Sequence, residues 1–314
     1  MNSRKTPYIL FAIWVLLLAL TPWIANNYIV KTSTFLAMYA AIAMSWNFIG
    51  GYAGYPSFAT AAFVGLGAYS GAILQNSGIP MVAAWGLAAI IVMVFAVGIG
   101  QIVLKMKGHY FAIGSIALVE VLSHTASSWS GLTGGGEGLN VKILEGGPDF
   151  AGMVFLYTMI AIMLLAFLTT VIVDRNRLGF GLRCIKQNED AANMLGVNVM
   201  RYKVIAFVLS SVFCGLVGAA YASWVSYISP IDSFSIILTL KAAIMVLLGG
   251  PGTIFGPIIG SAVFVIFEET IWSQFLDLHQ GILGVVIVFL IFFLPNGLLK
   301  IKWGKNSSEV AIKK

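Results

Sequence analysis

One uncharged stretch limits what this chain can fold into: no Asp, Glu, Lys or Arg occurs between Lys31 and Lys105. The stretch runs from residue 32 to residue 104, 73 residues, whereas a helix crosses a bilayer in about 20. It must therefore turn inside itself, and two groups of helix-breaking residues divide it. These groups are Gly50, Gly51, Gly54 and Pro56, and the turn at residues 76–80. The pattern predicts three membrane-spanning helices, near residues 33–49, 57–75 and 81–104.

The composition indicates that the whole chain lies in a membrane. Hydrophobic residues make up 59% of the 314 residues and charged residues 10%, too few to cover a surface in water. A soluble enzyme, a disordered chain and a nucleic-acid-binding protein are therefore excluded. We expect a single all-α, polytopic transmembrane domain over residues 1–314, surrounded by membrane lipid.

Seven further apolar stretches predict the remaining spans, for a total of about ten. They lie near residues 6–30, 110–128, 151–173, 204–227, 234–249, 257–272 and 281–299. The spans near 234–249 and 257–272 have only about 16 residues each and are separated by the glycine-rich run 249–252. We therefore expect them to cross the membrane as short or tilted helices or to be re-entrant. The polar segments between and after the spans are the outer loop 129–150, the cytoplasmic segment 174–203 and the cytoplasmic tail 300–314.

Lysine and arginine predict the orientation, because cytoplasmic segments carry the positive excess. With the N-terminus inside, 15 of the 18 Lys and Arg residues fall in cytoplasmic segments. Both chain termini are therefore expected in the cytoplasm. The net charge of +6 follows from this topology and needs no anionic partner.

No motif for enzyme chemistry is present in the sequence. The glycine-rich run 134–138 lacks the Lys-Ser/Thr that completes a phosphate-binding loop. The three histidines have no metal-ligand spacing. We therefore expect no catalytic residue, no metal and no cofactor on this chain, which could not hydrolyse ATP by itself.

The segment 174–203 holds the densest internal cluster of charge. Its central residues are Glu189, Asp190, Ala191, Ala192 and Gly196. Acidic residues that open an Ala-rich stretch, and a glycine that closes it, are typical of a short helix. The pattern favours an interfacial or docking helix and a solvated loop between two spans about equally.

The glycines fall into two groups with different predicted roles. Two pairs have the spacing that lets helices approach closely, Gly67 with Gly71 and Gly256 with Gly260. The clusters at 50–54 and 249–252 instead interrupt spans, and irregular backbone at membrane depth must line a cavity or be buried in protein. We predict that these clusters belong to the translocation path. The similarity of residues 55–58 to residues 231–234 also predicts an inverted repeat.

The fifth predicted span carries an ionisable pair, Glu120 and His124, one helical turn apart. Ionisable residues inside a span usually have a function, but two residues at this spacing can also pair for structural reasons. The functional hypothesis is that the pair is buried and that Glu120 faces the central pathway.

Several short motifs match one transporter family in order and spacing. Asp190, Ala191, Ala192 and Gly196 resemble the EAA-x3-G motif through which ABC importer permeases couple to their ATPases. Other matching runs are 50–69, 108–113, 132–138, 228–230 and 245–257. Together they resemble the permease family for branched-chain amino acids, and its LivM-type subunits most. Three positions depart from the family pattern: Ala59-Thr60 replaces Gly-His, Lys241 stands where an acid is frequent, and Asp190 replaces Glu.

The resemblance implies one permease subunit of an ABC importer in a bacterial inner membrane. Its partners would be a second permease subunit, two nucleotide-binding ATPase subunits that hold the ATP, and a periplasmic substrate-binding protein. The coupling residues would be Glu189, Asp190, Ala191, Ala192 and Gly196. The predicted pathway residues are Gly50, Gly51, Tyr52, Gly54, Ser57, Thr60, Glu120, His124, Lys241, Gly249 and Gly250. Lys241 and Thr60 raise the hypothesis of an atypical or anionic ligand.

Two other classes of function compete with this interpretation. A self-sufficient secondary transporter or channel would use Glu120 and His124 as a proton relay and would need no ATPase. A structural scaffold would explain the packing glycines but not the interrupted spans. Neither explains the stretch from Glu189 to Gly196.

Overall fold

The fold is that of a computed structural model, which describes residues 6–274 and Gly284. The helices are α1 (Thr6–Ile24), α2 (Asn27–Trp46), α3 (Ala59–Asn76), α4 (Met81–Val103), α5 (His109–Ser128), α6 (Ser130–Thr133), α7 (Gly147–Arg175), α8 (Arg177–Gln187), α9 (Glu189–Met194), α10 (Val199–Val225), α11 (Pro230–Ser233), α12 (Ile236–Gly249) and α13 (Gly256–Gln274). A π-helical segment covers Asn47–Tyr52 and a 3-10 turn covers Gly135–Glu137. The strands are β1 (Leu139–Asn140) and β2 (Tyr227–Ile228).

The long helices of the described part follow the first nine predicted spans. Seven helical stretches there are long and apolar enough to cross a membrane, which makes the chain an all-helical, multi-pass membrane protein. Helix α3 is not among the seven, but neighbouring helices bury it on almost all sides. The tenth predicted span, 281–299, and the tail 300–314 lie outside the described residues, so the count of about ten stays a prediction.

The predicted boundary after the first span is wrong. Helix α1 ends at Ile24 rather than near residue 30, and the exposed Lys31 lies in the second turn of α2. The side chain of Asn26 accepts a hydrogen bond of 3.1 Å from the backbone N–H of Ile29 and so caps α2. The cap fixes the start of this helix, because it satisfies a backbone N–H that has no partner within the helix. Lys31 does not end a span, because a lysine near a helix end can extend its ammonium group to the polar interface.

Helices α3 and α10 form the centre of the bundle, with α4 packed along both. A Cβ atom on Gly67 would lie 2.4 Å from the carbonyl oxygen of Gly215 in α10, and one on Gly71 would lie 2.7 Å from the Cβ atom of Ala219. On α13, a Cβ atom on Gly260 would lie 1.7 Å from the carbonyl oxygen of Met245. The predicted role of these glycines in close helix packing is therefore confirmed.

The predicted outer loop, 129–150, has secondary structure of its own. It contains α6, the 3-10 turn and β1, and α7 already begins at Gly147. Strand β1 pairs with β2 in antiparallel orientation, with Leu139 opposite Ile228. Backbone hydrogen bonds therefore hold the outer loop against β2, the segment that follows α10.

Candidate functional site

The chain leaves helical geometry between α2 and α3, and residues 47–58 are named the first interrupted segment. After the π-helical turns, residues 53–58 have no regular structure. The indole N–H of Trp46 donates to the carbonyl oxygen of Ser57 at 2.8 Å. The hydroxyl of Thr239 in α12 accepts from the backbone N–H of Ala61 at 2.9 Å and so caps α3. The irregular backbone is thus satisfied by neighbouring helices, as burial in a membrane requires.

A second interrupted segment, residues 249–255 between α12 and α13, lies against the first. The side-chain amide of Asn47 donates to the carbonyl oxygen of Thr253 at 3.1 Å and accepts from the backbone N–H of Gly252 at 2.9 Å. Asn47 is fully buried and joins the two segments. Asn47 was not among the residues predicted from the sequence, although a lone Asn within an uncharged apolar helix is a detectable signal.

The segment 174–203 forms two short helices packed on the bundle, so the interpretation as a solvated loop is wrong. Helix α8 is amphipathic and buries Leu182 and Ile185. Asn188 caps α9 by accepting from the backbone N–H of Ala191 at 2.9 Å. Gly196 follows α9 with φ of +83°, a conformation that favours glycine. The predicted short helix from Glu189, closed by Gly196, is confirmed.

The α8 side of this segment is tied to the first interrupted segment. The ammonium group of Lys186 donates to the carbonyl oxygen of Gly51 at 2.8 Å. The guanidinium group of Arg183 binds the carboxylate of Asp174 at 2.7 Å, and the hydroxyl of Tyr52 donates to the same carboxylate oxygen at 3.1 Å. We name Asp174, Arg183 and Tyr52 the Asp174 cluster.

The α9 side is tied to the same segment by a second group, Lys203, Glu189 and Tyr55, named the Lys203 cluster. The ammonium group of Lys203, 3% exposed, donates to Glu189 at 3.0 Å, to Tyr55 at 3.2 Å and to the carbonyl oxygen of Leu104 at 3.1 Å. The hydroxyl of Tyr55 also donates to the carboxylate of Glu189. These contacts satisfy all three donors of the ammonium group.

The Lys203 cluster shifts the pKa values of two of its groups. Burial raises the pKa of the Glu189 carboxyl, but hydrogen bonds from Tyr55 and Lys203 and the charge of Lys203 outweigh it, so the pKa lies below its usual value. Burial, the hydrogen bond to Glu189 and its negative charge raise the pKa of Tyr55. Glu189 is therefore an anion and Tyr55 a neutral donor at physiological pH.

The lowered pKa of Glu189 predicts a pH-dependent contribution to stability. A carboxyl whose pKa is lower in the folded state stabilises the fold above its unfolded pKa, and this stabilisation is lost as the pH falls through the folded value. The melting temperature of Glu189→Gln should therefore lie below that of the unmodified chain at pH 7. The difference between the two melting temperatures should narrow as the pH falls through the lowered pKa of Glu189. A difference that does not change with pH would contradict an ionised Glu189 in the cluster.

Most of the predicted pathway residues lie together at this end of the bundle. They are Gly50, Gly51, Tyr52, Gly54, Ser57, Thr60, Gly249 and Gly250. Gly51, Tyr52, Gly249 and Gly250 are buried in protein, which is one of the two conditions that interrupted spans must meet. Among the described residues, the buried hydroxyl of Thr60 has no hydrogen-bond partner.

The prediction of a buried pair on the fifth span is wrong. Glu120 and His124 approach each other at 3.9 Å, but their side chains are 56% and 81% exposed on the outer face of α5. The face of α5 that packs on the bundle instead carries Phe111, Ser115 and Leu118. Sequence spacing placed the pair on one face of the helix but could not tell which face is buried.

Lys241 lies in the second turn of α12, away from the interrupted segments. Its ammonium group is 2.5 Å from a carboxylate oxygen of Glu268 in α13. Since a helix rises about 1.5 Å per residue, Lys241 is about 12 Å along α12 from Gly249. Glu268 is 27 positions from Lys241, so no spacing rule in the sequence pairs the two.

The sequence was compared with models of known protein families and with known proteins. Over residues 28–291 the chain matches the family described as branched-chain amino acid transport system, permease component. No solved structure matches the chain.

Curated relatives match over almost the full length of the chain. The high-affinity branched-chain amino acid transport system permease protein LivM of Salmonella typhimurium is 25% identical, covering 99% of this chain and 80% of the relative. The protein of the same name from Escherichia coli K12 is 25% identical, covering 96% and 79%. A probable LivM permease of Methanocaldococcus jannaschii is 21% identical, covering 83% and 90%.

Proposed function

This chain belongs to the family of branched-chain amino acid transport system permease components, and from this premise we propose that it moves branched-chain amino acids, or a related small polar solute, across the membrane. It is a membrane permease subunit of an ABC importer and not an enzyme. A permease subunit of this kind works together with other subunits, so the chain has partner subunits. The names of the LivM relatives describe permease proteins of branched-chain amino acid transport systems.

We infer that the partners are a second permease subunit, two ATPase subunits that bind the ATP, and a periplasmic substrate-binding protein. The assembly would lie in the bacterial inner membrane, with both termini of this chain in the cytoplasm, ten spans and an inverted repeat. The positive charge of the proposed cytoplasmic segments supports this orientation. In this proposed orientation, α8 and α9 would lie on the side where the ATPase subunits dock.

One observation carries the proposed coupling mechanism: side chains of the segment 174–203 are hydrogen-bonded to the first interrupted segment. Lys186 binds the carbonyl oxygen of Gly51, and Glu189 binds Tyr55. Asn47 continues the connection to the second interrupted segment. A displacement of α8 and α9 by closing ATPase subunits must therefore move both segments or break these bonds. Packed helices respond to such a load by switching between discrete arrangements.

The test is uptake by the assembled transporter reconstituted in liposomes. Radiolabelled L-leucine should accumulate only when ATP, the ATPase subunits and the binding protein are all present. Uptake that follows a proton gradient and persists without any ATPase would overturn the proposal in favour of a secondary transporter.

Glu120 provides a separate prediction about the pathway. A carboxylate exposed to lipid at mid-bilayer costs about 2.5–3.5 kcal/mol even on the milder scales, so we infer that the exposed face of α5 lies against the second permease or a hydrated pathway. Glu120→Gln should lower ATP-dependent uptake several-fold while assembly stays normal. The control is Thr125→Val, another exposed residue of α5, whose hydroxyl donates to the carbonyl oxygen of Val121. Equal uptake in the two variants would remove Glu120 from the pathway.

A further inference from the structure

Two neighbouring cavities flank the ion pair between Lys241 and Glu268. The first has a volume of about 210 Å³ and is lined by Lys241; the second has about 350 Å³ and is lined by Glu268. Phe35 and Tyr39 of α2 line both cavities. The ion pair and these two rings therefore form the boundary between the cavities. The second cavity reaches the range of about 300–1,000 Å³ typical of small-molecule sites.

Helix packing alone does not account for this ion pair. The side chains of Lys241 and Glu268 are 20% and 13% exposed, and the ammonium nitrogen lies 5.7 Å from the centre of the Tyr39 ring. Apolar residues of the same volume are often at least as stabilising as a buried ion pair, and charges inside a membrane are costly. Charges held in this way next to open volume point to a binding role.

The surrounding charges favour a ligand that carries both signs. Asp232 lines the first cavity together with Lys241, and Glu269 lines the second together with Lys31 and Glu268. A purely anionic ligand at Lys241 would be repelled by these carboxylates, which argues against the hypothesis of an anionic substrate. An aliphatic group would find an apolar wall in the first cavity, formed by Met38, Ile42, Val64, Ala68, Val217 and Leu238.

We propose that Lys241 and Glu268, flanked by Tyr39, bind the α-carboxylate and the α-ammonium group of a zwitterionic amino acid. The ligand opens the ion pair: its carboxylate replaces Glu268 at the ammonium group of Lys241, and its ammonium group replaces Lys241 at the carboxylate of Glu268. No charge is left unpaired in the exchange. The proposal rests on the proposed function as an amino acid permease and names the residues of this chain that recognise the backbone of the substrate.

The test uses the purified permease and ATPase complex without the binding protein, so that only the membrane subunits can bind the ligand. Its melting temperature is measured against L-leucine, the cation leucinamide and the anion 4-methylpentanoate, because a ligand stabilises the state that it binds. We expect L-leucine to raise the melting temperature and each analogue to bind at least about tenfold more weakly, since each lacks one charged hydrogen bond.

Variants of Lys241 and Glu268 test whether this ion pair is responsible for the rise in melting temperature with L-leucine. Lys241→Met and Glu268→Gln should each weaken L-leucine binding at least about tenfold. The double variant removes both charges and leaves neither unpaired, so it should assemble even if a single variant does not, and it too should fail to respond to L-leucine. The matched control is Lys142→Met, an exposed lysine of the outer loop, which should respond as the unmodified chain does.

Three outcomes would overturn the proposal: an unmodified complex that does not respond to L-leucine, a double variant that responds normally, or an anion that stabilises as well as the zwitterion. The liposome uptake assay separates this failure from failure of the proposed function. If ATP-dependent leucine uptake occurs but L-leucine does not raise the melting temperature of the complex, the proposed function is supported and the proposed binding site is wrong.

Discussion

Lys203→Met is expected to lower the stability of the chain by about 3 kcal/mol and to separate ATP hydrolysis from uptake. Lys203 is 3% exposed, and its loss removes the cation that pairs with Glu189 and the donor to the carbonyl oxygen of Leu104, while Glu189 keeps the hydrogen bond from Tyr55. Removing one partner of a buried ion pair costs about 3–5 kcal/mol, and the 21% exposure of Glu189 places the effect at the low end. The measurements are the melting temperature of the complex and the amount of L-leucine taken up per ATP hydrolysed.

Lys107→Met is the matched control for this prediction. Lys107 also pairs with an acidic residue of α9, Asp190, at 3.3 Å, but the two side chains are 63% and 78% exposed. Such a surface pair is worth about 0–1 kcal/mol, so the control should change little. Tyr55→Phe keeps the lysine and removes one hydroxyl, and it should lower uptake per ATP with intact assembly. Equal effects of the two lysine variants would contradict the role of the Lys203 cluster.

The contacts around the interrupted segments explain why polar side chains gather at this end of the bundle. Irregular backbone exposes carbonyl and N–H groups that need partners, and Lys186, Asn47 and Thr239 supply them. The same side chains connect the segments to α8, α2 and α12. Polar groups that satisfy the interruption therefore also link it to the surface where an ATPase would dock.

The sequence predicted most of the helices because few residues in a membrane chain can end a helix. Glycine clusters, proline turns and scarce charges located the ends of the first nine spans closely, except at the boundary between the first two. The short helix from Glu189 to Gly196 was predicted for a related reason, since acidic residues at its start and glycine at its end act within a few residues. Local rules therefore account for the helices.

The connections between elements could not be predicted in this way. Tyr55 and Glu189 are 134 positions apart, and Asn47 and Gly252 are 205 positions apart, so no local rule joins them. The exposed position of Glu120 has a similar cause: helical periodicity groups residues on a face, but only packing decides which face is buried. The first boundary failed because the span was extended to the next charge, Lys31, whereas the cap at Asn26 starts α2 before it.

Gly218→Ala is expected to destabilise the bundle by about 3 kcal/mol, which is large for the addition of one methyl group. Gly218 lies on α10, where an added Cβ atom would be 2.0 Å from the carbonyl oxygen of Val64 in α3. The obstacle is backbone, which cannot rotate away as a side chain can, so the two central helices must move apart. Gly67 makes the reciprocal approach to Gly215, so α3 cannot slide to make room.

Gly86→Ala and Gly98→Ala on α4 are the controls, because a Cβ atom built on either glycine has no atom of another helix within 4 Å among the described residues. Alanine is favoured over glycine inside a helix by about 1 kcal/mol, so these variants should be neutral or more stable. The same substitution is thus expected to have opposite signs on α10 and α4, measured as melting temperatures of the chain in detergent. A Gly218→Ala chain as stable as the controls would mean that α3 and α10 do not pack backbone to backbone.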